Sequence, residues 1–390
     1  MTPMNDRNGV RGAAGFSLVE LVVSMAVMTV IMGAVMAAMS QATRMNQTAV
    51  MVTSMNSNLR TAMDLVVRDM LQVGQDLPTG RVVSIPWNGT VTVKLPGPPG
   101  TAFTTVATET VLSAVRPGPG LGPTVNGVAT DMITTLAADS SFSNVDLTGL
   151  SNTSMTVMAP PSPANPAFNG INISNGGVDD ILPGQLIMLA KGSFSTLVQV
   201  TAVSGQVVTF ADSDSLNLNR STVTAGTLRA LNTGAPVLAP SPADAVQTAN
   251  AIAQTQATRI RMITYYIDAT TTPLRPRLVR RMNNGSATTF DNTSGSVVAF
   301  DIENLQITYD LDNDATNPTN VRMVAADLTT SGACSPSACS PNQIRKVNVL
   351  LTGRSNIKFD PLKQFYRNSL VSQVSLRSLA FTDKYTSTPP

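Results

Sequence analysis

The sequence predicts an α+β protein in which one long N-terminal helix packs on an antiparallel β-sheet. Two observations lead to this prediction: a continuous helical pattern over residues 16–78, and a series of short strand patterns over the remainder of the 390-residue chain. A third observation, an uncharged apolar run near the start of the helix, predicts that its first half spans a membrane over about residues 18–40.

Residues 1–15 form a short hydrophilic leader that precedes the apolar run. No residue from Leu21 to Thr43 is charged, and about 20 apolar residues suffice to span a bilayer as a helix. Because Arg7 and Arg11 precede the run, the leader is expected to stay cytoplasmic and the rest of the chain to be exported. The tail of the run, GAVMAAMSQA, also fits a small-x-small cleavage site, so a secretory signal peptide and a plain membrane anchor both stay open.

Glu20 stands just inside the apolar run, where an isolated carboxylate costs about 3 kcal/mol. A third interpretation accounts for it. Cleavage between Gly15 and Phe16 makes Phe16 the new N-terminus, whose α-amino group is cationic, and Glu20 becomes the fifth residue of the mature chain. In a stack of subunits, Glu20 of one copy neutralises the amine of the next, so the pair is satisfied only in the assembly. This interpretation assigns subunit assembly to Phe16 and Glu20.

The stretch GFSLVELVVSMAVMTVIMG resembles the prepilin N-terminal motif of type IV pilins and type II secretion pseudopilins. The resemblance implies a type IV pilin-like fold, cleavage after Gly15 by a prepilin peptidase, and N-methylation of Phe16. The later stretch LRTAMDLVVRDMLQVG is similar to the segment after the membrane helix in PilW-type minor pilins and J-type pseudopilins. These resemblances imply that the partners are other minor and major pilins, the prepilin peptidase, the inner-membrane pilus assembly platform and membrane lipid.

Beyond Arg44 the helical pattern continues until Gly74 and Pro78 end it. Apolar residues at spacings of three and four form one stripe, which is predicted to pack under the sheet. The members of this stripe are Val52, Met55, Leu59, Met63, Val66, Met70 and Val73.

Composition divides the exported region into residues 79–250, which are rich in Pro, Gly, Ser and Thr, and residues 251–390. Strand patterns occur in both parts, so we predict a β-rich insert followed by a β-rich head that ends in C-terminal strands. Ser204-Gly205 predicts a hairpin within TLVQVTAVSGQVVTFA, and Asn283–Gly285 predicts a second one. VVAFDIENLQITYDLDND and IRKVNVLLTGRS are each typical of a further strand.

The order of these strands also resembles PilW-type proteins. In that family a strand with Tyr and a strand with Arg precede an ENLQ-x-x-Y strand, and a V-x-L-R element closes the domain. The corresponding positions here are Tyr265, Arg280, residues 303–306 with Tyr309, and residues 374–377.

Composition argues against enzymatic and nucleic-acid functions. His is absent, which removes the commonest general base and zinc ligand, and no nucleophile motif or phosphate-binding loop is present. The formal net charge is +2 and aromatic residues are 4% of the chain, so neither a basic field nor a stacking platform is available for nucleic acid. We therefore predict no catalytic residues, no required cofactor and no nucleic-acid partner.

Two side-chain groups of the exported region are candidate sites. Cys334 and Cys339 lack the further ligands of a zinc site and the spacing of a redox pair, which favours a disulfide in an oxidising compartment. Asp310, Asp312 and Asp314 alternate as at the start of a calcium loop. The rest of the EF-hand pattern is missing, which favours a solvated acidic turn and leaves a calcium loop of another kind as the alternative.

Together these observations predict a minor type IV pilin that initiates or caps the pilus and exposes its head at the tip. It is expected in the inner membrane as a single-pass prepilin with a periplasmic head, and then in the pilus fibre at the cell surface. Two alternatives stay open: a J-type pseudopilin of a type II secretion system, and an adhesin or binding protein held by its N-terminal helix. The ligand of the head, and any role in adhesion or twitching motility, are not predicted.

Overall fold

The chain divides into two compact units in the computed structural model: Met1–Ser54, here termed the N-terminal unit, and Met55–Pro390, here termed the head. The structure describes residues 15, 17–77, 82–98, 103–105, 109–139, 142, 144–160, 170–173, 181–191, 194–212, 214–223, 225–234, 255–269, 275–283, 295–313, 316–359 and 363–377.

Helix α1, Leu18–Leu71, begins in the N-terminal unit and ends in the head. It contains no proline and a single glycine, Gly33, so no residue interrupts its backbone hydrogen bonds. The helix ends slightly before the predicted position, in a turn where Gly74 has a φ of +74°. The Gly74 N–H donates to the carbonyl of Leu136 at 2.9 Å, so a tertiary contact sets the end of the helix.

The apolar stripe predicted on the second half of α1 is confirmed from Met55 onward. Its side chains are at most 4% exposed and belong to one core cluster with residues of the C-terminal sheet. Each fully buried side chain of this size contributes about 2 kcal/mol to stability. The buried members are Met55, Leu59, Met63, Val66, Met70 and Val73.

The head is built mainly from strands, with a short helix α2 at Leu228–Gly234. The strands are β1 (Val82–Ser84), β2 (Val111–Ser113), β3 (Val115–Gly118), β4 (Thr124–Val125), β5 (Val128–Ala129), β6 (Met132–Ala138), β7 (Val145–Leu150), β8 (Ser154–Val157), β9 (Leu186–Lys191), β10 (Phe194–Gln199), β11 (Ala202–Ser204), β12 (Val207–Thr209), β13 (Thr255–Asp268), β14 (Arg277–Met282), β15 (Ser296–Phe300), β16 (Ile302–Leu311), β17 (Ile344–Phe359) and β18 (Gln364–Ser375).

These strands form an eleven-stranded sheet around β13, a three-stranded sheet in the order β16-β17-β18, and two small two-stranded sheets. The strand pairings are antiparallel, so the predicted α+β architecture of one long helix and an antiparallel head is confirmed. The strand β13 lies in residues 251–390. It pairs with β6, β7 and β9, which lie in residues 79–250, the predicted insert. The predicted division at residue 250 therefore separates strands that belong to one sheet.

The local strand predictions differ in their outcome. Gly205, with a φ of +57°, joins β11 to β12, so the predicted hairpin is present. β14 pairs with β15, and most of the turn predicted at residues 283–285 lies outside the described residues. The pattern VVAFDIENLQITYDLDND is two strands, because Asp301 has a φ of +59° and breaks it. β15 joins the large sheet and β16 joins the three-stranded one.

A buried polar cluster fastens the end of α1 to the large sheet. Asp69 Oδ2 accepts hydrogen bonds from Tyr265 Oη and Arg280 Nε, both at 2.6 Å. Tyr265 and Arg280 are cross-strand partners on β13 and β14. Burial, and then the negative charge of Asp69, raise the pKa of Tyr265 well above its ordinary value, so the phenol stays protonated and donates. The Tyr and Arg strands noted in the sequence thus share one carboxylate of the helix.

Replacing Tyr265 by Phe is expected to lower the free energy of unfolding by about 2 kcal/mol, because a buried hydrogen bond to a charged group is lost. The measurement is denaturant unfolding of the full chain in detergent. Tyr366→Phe is the matched control, because the Tyr366 side chain is 47% exposed. Equal stability of the two variants would contradict an anchoring role for the Tyr265 hydroxyl.

Candidate functional site

The first turn of α1 is closed by Glu20 and Ser17 of the same chain. The Ser17 N–H donates to Glu20 Oε2 at 3.0 Å, and the Val19 N–H donates to Ser17 Oγ at 3.3 Å. This arrangement is a variant of the capping box, in which a carboxylate three residues into the helix bonds the N–H of the cap residue; here the cap hydroxyl accepts from the second helical residue, Val19, and not from the third. Glu20 therefore has a local role in starting the helix. The S-x-x-E spacing of residues 17–20 carried that signal, and the sequence interpretation overlooked it.

The capping box leaves room for a second partner of Glu20. An ionised carboxylate has about four acceptor positions, and the Ser17 N–H occupies one of them. The Glu20 side chain lies among exposed residues, so a cation can approach it from solution or from a neighbouring molecule. Gly15 is exposed too, whereas Phe16 lies outside the described residues. Cleavage and methylation at Gly15 and Phe16 therefore stay predictions.

Residues 18–47 of α1 are all exposed in the N-terminal unit. The helix is long and apolar enough to cross a membrane, with a mean hydropathy of 2.3 over its most apolar 18 residues. Exposed apolar surface of this extent marks a membrane or protein interaction site. One side of it carries a row of flexible methionines that tolerates varied neighbours. These are Met25, Met28, Met32, Met36 and Met39.

Three hydroxyl groups within the apolar stretch, those of Ser24, Thr29 and Thr43, are satisfied by their own helix. Ser24 Oγ donates to the carbonyl of Leu21 at 2.9 Å, and Thr43 Oγ1 donates to that of Met39 at 2.9 Å. Thr29 bonds its own helix in the same way. In hydrocarbon, polar groups must find partners inside the protein. These residues therefore enter lipid or an apolar bundle without needing a partner, in contrast to the charged Glu20.

In the head, the predicted calcium ligand Asp310 is surrounded by hydrogen-bond donors. Its Oδ1 accepts from the Asn320 N–H at 3.0 Å and from Asn348 Nδ2 at 2.9 Å, and its Oδ2 accepts from Gln373 Nε2 at 3.1 Å. The carboxylate thereby joins β16, β17 and β18 on the outer face of their sheet. Both of its oxygens already have structural partners.

The other two carboxylates do not complete a cation site with Asp310. Asp312 lies 3.3 Å from Arg345 Nε, and Asp314 falls outside the described residues. Within the described ranges, no group of three or more His, Cys, Asp or Glu side chains is placed to hold a metal ion. Calcium binding at these residues stays a prediction.

Cys334 and Cys339 form the disulfide that the sequence predicts, in the long segment between β16 and β17. Both residues are buried, and they pack into the same core cluster as the stripe of α1. The bond therefore shapes a loop of the head. An oxidising compartment outside the cytoplasm suits it.

The comparisons with known proteins agree with the geometry of the N-terminal unit. Residues 10–36 match the family model described as the prokaryotic N-terminal methylation motif. No curated protein and no solved structure matches the chain. The match covers residues 10–15 of the predicted leader, the capping box and the start of the exposed helix. Together with that apolar helix, it supports a membrane-anchored protein that is type IV pilin-like or pseudopilin-like, and structural in its role.

Proposed function

We propose that the chain is a minor type IV pilin of the PilW type that helps to initiate or cap a pilus. The observation that carries the proposal is a coincidence of two features. The methylation motif at residues 10–36 overlaps the start of α1, where residues 18–36 are all exposed. A signal peptide needs the apolar run but not the motif, whereas a pilin needs both.

In the proposed assembly, a prepilin peptidase cuts between Gly15 and Phe16 on the cytoplasmic side, and Phe16 is N-methylated. The apolar part of α1 then leaves the bilayer and packs among other pilins. There Glu20 meets the cationic amine of a neighbouring subunit, which removes the cost of carrying its charge into an apolar bundle. The capping box supports this step, because it holds the carboxylate at the helix start in a defined position.

The proposed position at the pilus tip follows from the size of the head. The head comprises Met55–Pro390, most of the chain, and would obstruct regular packing beneath further subunits. At a tip no subunit packs above it. Immunogold labelling of sheared filaments with an antibody to the head tests the position. Label at one filament end agrees with it, and uniform label along the shaft contradicts it.

The mature protein is expected to begin at a methylated Phe16, which mass spectrometry of the protein purified from its own cells measures directly. Gly15→Val is expected to keep the leader, because the small residue before the cut is lost. An intact Met1 in the wild-type protein, or cleavage after the apolar run, would contradict the proposal. Either result would favour a plain anchored protein or a secreted one.

The motif is shared with the J-type pseudopilins, so a second experiment distinguishes the two assemblies. Proteins that co-purify with the full chain from detergent-solubilised membranes are identified by mass spectrometry. Co-purification of minor pilins and of the pilus platform supports the proposal. Co-purification of type II secretion components supports the pseudopilin function instead.

A further inference from the structure

The two edge strands of the three-stranded sheet, β16 and β18, differ in whether their outward backbone groups have hydrogen-bond partners. Along the outer edge of β16, the backbone groups that point away from β17 have partners from neighbouring segments. The Tyr309 N–H and carbonyl pair with Val321 at 2.8 and 2.9 Å, and the Ile307 N–H donates to Asp131 Oδ2 at 2.8 Å. The Leu311 N–H donates to the Pro318 carbonyl at 2.9 Å. This edge is closed to another strand.

The opposite edge is formed by residues 367–375 of β18, here termed the β18 edge. Among the described residues, β18 pairs only with β17, in regular register over this stretch. The Leu376 N–H donates to the Arg345 carbonyl at 2.8 Å, so even-numbered residues direct their backbone groups to β17. Antiparallel strands alternate in this respect. The N–H and C=O groups of odd-numbered residues therefore point outward.

Within the part of the chain that the structure describes, the β18 edge lacks the usual protection of an edge strand. Natural edges carry lysine, proline, bulges or covering segments that prevent pairing with another chain. From Asn368 to Ser375 the sequence NSLVSQVS has no charge, no proline and no glycine. Among the described residues, the outward Ser369 N–H has a local bond to the Asn368 side chain at 2.9 Å, which a partner strand would replace. An edge strand with an uncharged stretch of this length, residues 368–375, accepts an extended strand.

We propose that the β18 edge pairs antiparallel with the β18 edge of a second copy of this chain, with Val371 at the two-fold axis. In that register Val371 faces Val371 of the second copy, and Ser369 faces Gln373. Arg367 faces Ser375, so no like charges are opposed. Each pair joins outward-pointing residues, as the hydrogen bonds of an antiparallel ladder require.

Burial of Val371 favours this occupant. The side chain is 65% exposed and stands beside Leu350 of β17 on the outer face of the sheet. Pairing two copies about Val371 produces a continuous apolar row of Leu350, Val371, and the same two residues of the second copy. Facing β-branched residues stabilise neighbouring strands. The proposal goes beyond the pilin function and does not depend on it, since the edge belongs to the head.

A charge-swap experiment tests the pairing. The full chain, Val371→Lys and Val371→Glu are purified in detergent micelles, and their dimerisation is measured by sedimentation and native mass spectrometry. Wild-type protein is expected to dimerise. Each variant alone is expected to dimerise about tenfold more weakly, because like charges meet at the axis. Mixing the two variants is expected to restore the dimer, and a carbodiimide is expected to cross-link position 371 of one copy to position 371 of the other.

Two controls keep the result specific. Leu328→Lys places the same charge on a side chain that is 47% exposed elsewhere in the head, and it is expected to leave the dimer unchanged. Val371→Pro removes an outward N–H without affecting the bonds to β17, and it is expected to abolish the dimer while circular dichroism stays unchanged.

Three results would overturn the proposal. Dimerisation of both charge variants at wild-type strength would place the contact elsewhere, such as on the apolar helix. A monomeric wild-type protein that dimerises only after removal of residues 378–390 would make the chain's own C-terminal segment the occupant. A monomer that associates only with a different pilin would assign the edge to that protein.

Discussion

Glu20→Gln is expected to reduce incorporation of the chain into pilin assemblies about a hundredfold, while the helix still inserts into the membrane. Glutamine occupies the same volume and its amide oxygen still accepts the Ser17 N–H, so the capping box survives. The negative charge is lost, and with it the partner for the amine of the neighbouring subunit. Leaving that amine unpaired in an apolar bundle costs about 3 kcal/mol, which corresponds to the expected factor.

The experiment compares Glu20→Gln with Glu20→Ala and wild type, each tagged and expressed with the other pilins. The fraction recovered in sheared filaments, relative to the amount in the membrane, is the measurement. Alanine removes both the charge and the cap, whose loss adds about 1 kcal/mol. Both variants are therefore expected to be recovered in filaments at a much lower fraction than wild type. If Glu20→Gln assembles normally and only Glu20→Ala fails, the carboxylate serves the helix cap alone, and pairing with the amine is wrong.

Local patterns in the sequence were sufficient for the helix and for the N-terminal methylation motif. The stripe from Met55 to Val73 was predictable because its period of 3.6 follows from one helix packing on one sheet. The apolar run and the motif around Gly15 and Glu20 are likewise contiguous. The capping box is equally local, since Ser17 and Glu20 have the spacing of the motif, but the same carboxylate also fits an intermolecular ion pair, so the spacing alone does not single out the cap.

The arrangement of the head was less predictable because its decisive contacts are distant in sequence. The strand β13 pairs with β6, β7 and β9, and a change of composition near residue 250 gives no sign of this. The alternating pattern around Asp301 continues without a gap, whereas the backbone there takes a positive φ and sends the chain into another sheet. Asp69 and Arg280 are separated by 211 residues and form one ion pair. Such distant pairs leave no periodic pattern in the local sequence from which they could be predicted.

Asp131 is the clearest of these distant contacts, and it connects the two main sheets of the head. It directly precedes β6 and is 1% exposed. Its Oδ1 accepts from the Gly120 N–H at 2.7 Å and from Arg322 Nη2 at 2.6 Å, and its Oδ2 accepts from the Ile307 N–H at 2.8 Å. The Asp131 N–H donates to the carbonyl of Leu305 at 2.9 Å. One carboxylate thereby accepts hydrogen bonds from a loop N–H group, from an N–H group of a strand in the other sheet, and from an arginine.

Asp131→Ala is expected to lower the free energy of unfolding of the head by about 4 kcal/mol. Two backbone N–H groups, those of Gly120 and Ile307, lose their acceptor inside the protein, at about 1–3 kcal/mol each, and the arginine loses its ion pair. Arg322 is 47% exposed and regains water, so the N–H groups carry most of the cost. Denaturant unfolding of the full chain in detergent measures the change. Asp312→Ala is the matched control: its carboxylate is 43% exposed, so a loss below about 1 kcal/mol is expected. Equal losses in the two variants would show that the sheets are held together without this carboxylate.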